Sequence, residues 1–144
     1  MPNLNQLRRE HVELAGMALQ LSRMVAQDVP PPPRDLYKLR MNLTCALIRH
    51  LKTEDWVRYP RLLRSANERI SLTSRVFGAE MGGLAAEFGD NANRWGSDAI
   101  EEDWKGYQLE TADILRILTL RMDREERDLY PLLEPIIPAG QPTT

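Results

Sequence analysis

Two pairs of polar side chains interrupt otherwise apolar helical stripes at a spacing of four residues: His50 with Glu54, and Arg121 with Glu125. Residues four apart share a helix face, so each pair points inward together, one turn apart. A third stripe carries His11. Imidazoles and carboxylates gathered in a core are the donors of a transition-metal site. A guanidinium stays protonated and offers a metal no lone pair. The same groups can instead form an ionic network, in which Arg121 and a protonated histidine compensate the buried charges of Glu54 and Glu125. As an acid–base pair the two glutamates are weak candidates, because no nucleophile or substrate clamp accompanies them.

Four segments of helical periodicity must position these groups. The first, residues 4–26, repeats Leu4, Leu7, His11, Leu14, Ala18, Leu21 and Val25 at three- and four-residue steps. Pro30, Pro31, Pro32 and Pro33 stop it, and the last of them suits the first position of a following helix. The second, residues 34–63, carries Leu36, Leu39, Leu43, Leu47, His50, Glu54 and Val57, with Pro60 expected to kink or end it. The third, residues 67–95, presents Ile70, Phe77, Met81, Leu84 and Phe88. Gly78, Gly82, Gly83 and Gly89 weaken it, and Gly89 with Asp90 and Asn91 forms a candidate early stop. The fourth opens on Ser97 as N-cap and runs through Ile100, Trp104, Tyr107, Thr111, Ile114, Leu118, Arg121, Glu125 and Leu129. No segment has strand period. The expectation is an all-α, antiparallel up-down-up-down four-helix bundle over residues 1–137, with a flexible tail at 138–144. Trp56, Tyr59, Trp104 and Tyr130 are expected as packing aromatics near one end of it.

In that topology the polar groups converge. Glu54 and Glu125 each lie roughly 13 Å from their helix ends, and His11 roughly 10 Å into the first helix, at the same end of the bundle. An internal repeat supports one layer: HLKTEDWVRYPRLL, starting at His50, aligns without gaps on RMDREERDLYPLLE, starting at Arg121. Glu54 matches Glu125, Asp55 matches Glu126, Tyr59 matches Tyr130, Pro60 matches Pro131 and Leu62 matches Leu133. His50 is matched by Arg121.

With an inward histidine on the first helix, these repeated segments resemble the hemerythrin-like (HHE cation-binding) family. The resemblance implies a four-helix bundle with a non-haem di-iron centre, histidines as terminal ligands and two bridging carboxylates. It also implies binding of oxygen, or a response to oxygen, iron or nitric oxide. Carried over by position, His11, His50, Glu54 and Glu125 are the retained metal ligands. Arg121 stands where that family has a histidine, and Met81 takes the vacated ligand position on the third helix. Two ions need roughly ten to twelve coordination positions, and the chain has only 2 histidines. A fixed positive charge at ~4 Å from a cation also costs about 4 kcal/mol per unit charge at an effective dielectric of 20. The resemblance therefore implies a degenerate metal site, in which Arg121, Glu54, Glu125, His50 and His11 form a metal-replacing ionic network.

Composition narrows the function classes. The chain has 144 residues, 19 basic against 21 acidic groups, a net charge of -2 and no basic tract, which argues against nucleic acid. No apolar run reaches a membrane span or a secretory leader, and Cys45, the only cysteine, excludes an internal disulfide. A cytoplasmic protein with a structural thiol at Cys45 is expected. The leading expectation is a non-enzymatic binding, sensory or regulatory module without a cofactor, whose small-molecule or protein partner is undefined. One alternative is a protein using a residual mono- or di-iron (non-haem) site to sense oxygen, nitric oxide or iron. The other is an interaction protein acting through its bundle surface, for instance as a homodimer. Metal content separates the second reading from the others.

Overall fold

Leu4, Leu7, His11, Leu14, Ala18, Leu21 and Val25 fall on one side of an α-helix, and burying that side fixes α1, Leu4–Val25. The computed structural model describes residues 4–53, 62–81 and 83–133, with the side chains at 52, 53, 80 and 81 outside that description. Glu54, Trp56, Tyr59, Pro60 and the tail at 138–144 lie outside the described residues. Pro33 is the first residue of α2, Pro33–Thr53, where its missing N–H costs nothing.

The third and fourth arms are each broken. The third consists of α3, Glu68–Met81, and α4, Leu84–Arg94. They meet at Gly83, whose φ of 89° lies in the left-handed region. Gly89, the expected early stop, sits inside α4, because the chain had already turned at Gly83. The fourth arm begins with α5, Ser97–Glu102, and continues as α6, Trp104–Arg124. Ser97 is not the cap it was expected to be; it is the first helical residue, and Gly96 precedes it as cap. The side-chain cap belongs to Asp103, which accepts the Gly106 N–H at 2.9 Å. A Cβ at Gly106 would press on the Asp103 carboxylate, so glycine three residues on lets the cap sit as it does. Beyond Arg124 the helix widens into a π turn, Glu125–Leu129, and closes with α7, Tyr130–Leu133.

Packing closes a ring: α1 lies against α2 and α6, α2 against α4, and α4 against α6. The result is the all-helical four-helix bundle, with no strand among the described residues. Its apolar interior falls into two clusters. The larger gathers Leu14, Leu43, Leu47, Phe88, Tyr107 and Leu118 among others, and the smaller gathers Leu4, Leu7, Ile70, Phe77, Leu129 and Tyr130. Three buried polar residues fall where one cluster gives way to the other: His11 between Leu7 and Leu14, and Arg121 and Glu125 between Leu118 and Leu129.

The far end of the bundle is tied by side chains of α6. Gln108 donates to the carbonyls of Val25 at 2.7 Å and Gln27 at 2.8 Å, and Trp104 Nε1 donates to Gln27 at 3.0 Å. These bonds serve carbonyls left open where α1 ends. Trp104 also packs on Tyr107, with ring centroids 5.7 Å apart. The aromatics therefore do not share one end as expected: Trp104 closes the far end, while Tyr130 packs with Leu4 and Leu7. About 26 residues of helix separate them, roughly 39 Å at 1.5 Å per residue. Cys45 is exposed on α2 and so does not pack in the core as a structural thiol would.

Gly83→Ala should lower stability by about 1–2 kcal/mol in urea denaturation, the cost of a left-handed alanine. No atom lies within 4 Å of the added methyl, so an unchanged midpoint would show that the turn relaxes freely. Burial pushes the Tyr107 hydroxyl above its ordinary value of 10.0, against the opposing charge of Arg40. The folded state thus holds this proton more tightly than the unfolded chain. Its contribution is complete below about pH 10 and is lost as pH rises above it. Tyr107→Phe should flatten that alkaline loss in melts recorded from pH 9 to 11.

Candidate metal centre

His11 on α1, His50 on α2, Arg121 on α6 and Glu125 at the start of the π turn are all at least nine-tenths buried. His11 Nε2 lies 3.4 Å from Glu125 Oε1, and Arg121 Nε lies 3.6 Å from the other oxygen, Oε2. The two histidine rings meet edge to face with centroids 5.0 Å apart. His11, His50 and Glu125 each offer one ligand atom within 4.8 Å of the others, and they form the metal-ligand group among the described residues. Glu54 lies outside the described residues, as does the side chain of Met81. The buried polar residue that the described part of the third arm contributes is Ser74.

Two carboxylates from outside the expected set complete the arrangement. His11 Nδ1 faces Glu126 Oε1 at 3.2 Å, and His50 Nδ1 faces Glu10 Oε1 at 2.5 Å. A carboxylate can only accept, so each Nδ1 carries a proton and donates it. In the neutral imidazole this leaves the lone pair on Nε2. For His11 that nitrogen is the one beside Glu125. A carboxylate behind each imidazole is the outer-shell pattern that orients histidine ligands and raises their basicity. Glu10 and Glu126 are themselves partly exposed, and the Glu10–His50 pair lines a groove of about 470 Å³ between α1 and α2, flanked by Arg9, Arg49 and Glu13.

For Glu126 the usable signal in the sequence was its match to Asp55 in the repeat. Glu10 had none. It precedes His11 by one residue, some 100° around α1, and reaches His50 only because α2 packs on that side.

The three donors found among the described residues lie close enough to share one ion. At bond lengths of about 2.1 Å, ligand atoms of a single ion stand roughly 3–3.4 Å apart when adjacent and about 4.2 Å when opposite. The 3.4 Å between His11 and Glu125 already fits, and donors within 4.8 Å of one another close on one ion with movements of roughly 0.3–0.7 Å at each side chain. The guanidinium of Arg121, only 1% exposed, opposes further positive charge beside Glu125. Arg121 faces one oxygen of Glu125, and His11 faces the other. The site is thus a degenerate His/His/Glu triad with capacity for weak coordination.

A model of the hemerythrin HHE cation binding domain matches residues 3–133, and the chain belongs to that family. No curated protein and no solved structure matches it significantly.

Glu125→Gln keeps the side-chain volume and removes the carboxylate charge that faces the buried Arg121. Stability should fall by about 3–5 kcal/mol in denaturant titration. A loss below about 1 kcal/mol would mean that the Arg121 charge is balanced elsewhere.

Proposed function

We propose that this hemerythrin-family chain is a non-enzymatic sensing module whose signal is the occupancy of a one-ion site at His11, His50 and Glu125. The observation that carries this reading is the pair of carboxylates, Glu126 and Glu10, each holding the Nδ1 proton of a histidine and so directing Nε2 inward. A network of purely ionic partners has no need to orient two imidazoles in this way. Two nitrogens and a carboxylate oxygen with positions left open suit Fe(II), and also Zn(II) or Co(II). Non-haem iron is the ion that the family resemblance favours, with oxygen, nitric oxide or iron level as the sensed quantity. In such a site the ion would supply an open coordination position for a diatomic ligand.

This chain's own residues set the response. Without an ion, Arg121 and a doubly protonated His11 compensate Glu125 from its two oxygens. That pairing competes with coordination and keeps affinity low, so occupancy tracks concentration instead of saturating. No helix among the described residues is long and apolar enough to cross a membrane. The readout is therefore expected in the packing of the bundle between its two apolar clusters.

Chelator-treated protein should take up one Co(II) per chain, visible as a d–d spectrum and by calorimetry. At a hundredfold excess over Kd the ion should add about 2.7 kcal/mol of stability. His50→Gln should weaken binding by roughly tenfold or more. Absence of uptake, or equal affinity in wild type and His50→Gln, would overturn the proposal.

A further inference from the structure

The π turn Glu125–Leu129 brings a fourth donor type to the site. In an α-helix, residues five apart point about 140° away from each other, so Tyr130 would turn away from Glu125. Here the Tyr130 N–H bonds the Glu125 carbonyl across the wider i→i+5 turn, which brings positions 125 and 130 toward one face. Pro131 gives the turn a local cause. Its ring would press on the carbonyl four residues back in a regular helix, and widening relieves that contact. The consequence is specific. The Tyr130 hydroxyl lies 3.2 Å from His11 Nε2, the nitrogen that also has Glu125 Oε1 at 3.4 Å. The Tyr130 ring is 0% exposed and stacks on the His11 ring at 5.4 Å, and the Arg8 guanidinium lies 5.9 Å from its centroid.

We infer that Tyr130 is a fourth ligand, and that His11, His50, Glu125 and Tyr130 together form a site for one ferric ion. The inference rests on the one-ion reading above and deepens it by naming the oxidation state. A hydroxyl oxygen 3.2 Å from one donor nitrogen stands at the separation of adjacent ligands on a single ion. Phenolate is a hard, anionic oxygen donor. Two imidazoles with a carboxylate and a phenolate match the hard trivalent ion better than the divalent one. As the O–Fe bond forms, the phenol O–H bond breaks and its proton passes to water; no electron is transferred. Arg8 beside the ring stabilises the charge that the oxygen retains.

The test loads the full chain with ferric nitrilotriacetate and, separately, with Co(II). Wild-type ferric protein should be coloured by a phenolate-to-iron charge-transfer band, with phenolate ring modes enhanced in resonance Raman on excitation within it. Tyr130→Phe should lose the band and the ring modes and bind Fe(III) roughly tenfold or more weakly, while its Co(II) affinity stays nearly unchanged. A merely structural tyrosine would alter thermal stability and leave the band in place. A band that persists in Tyr130→Phe overturns the assignment, whichever tyrosine supplies it. A colourless wild-type ferric protein that still binds Co(II) overturns the assignment alone and needs no variant to fold. Failure to bind either ion overturns the one-ion reading as well.

Discussion

A guanidinium and a carboxylate, each 1% exposed, face one another across a single turn of the fourth arm inside an apolar bundle. Neither Arg121 nor Glu125 can be left alone there, because an unpaired buried charge costs several kcal/mol. Apolar residues bound this layer, with Leu118 before it and Leu129 after it on the fourth arm, and Leu7 and Leu14 flanking His11 on the first. The apolar interior accordingly divides into two clusters, and the stripes of α1 and α6 are interrupted at the depth where they face each other.

The pairing also decides what chemistry is open. Arg121 faces one oxygen of Glu125 and His11 lies beside the other, so the carboxylate is held between the guanidinium and the histidines. Glu10 and Glu126 settle which nitrogen of each histidine keeps its proton, and both reach toward solvent. The inward lone pairs thus depend on two partly exposed surface carboxylates. A buried site becomes coupled to the surface through two hydrogen bonds. The cation of Arg121 opposes further positive charge beside Glu125, and the donors that gather among the described residues are His11, His50 and Glu125.

How much of this was legible in the sequence follows from which interactions are local. Helix type, the stripe of α1 to within one residue, and Pro33 as the start of α2 all follow from spacing and from the missing N–H of proline. His11, His50, Arg121 and Glu125 were singled out because each is polar on an apolar stripe, and the structure buries all four. The breaks were harder. Four glycines competed to end the third arm, and only the backbone angle at Gly83 shows which one turned the chain. Ser97 and Asp103 are both good caps, and Asp103 supplies the side-chain bond because Gly106 leaves room for it.

The sequence by itself determined the bundle, the depth of its polar layer and the loss of a histidine from the fourth arm. Each of these depends on residue type and on periodicity along one helix, and a single Arg121 suffices to remove a ligand. Tertiary structure alone decided the partners. Glu10 meets His50 across forty positions of chain and Glu126 meets His11 across 115, contacts made by the way α1 packs between its neighbours. The π turn belongs to the same class. It shifts Tyr130 around the helix toward Glu125 and so changes which side chains share a face, the property that a fixed helical period takes as given.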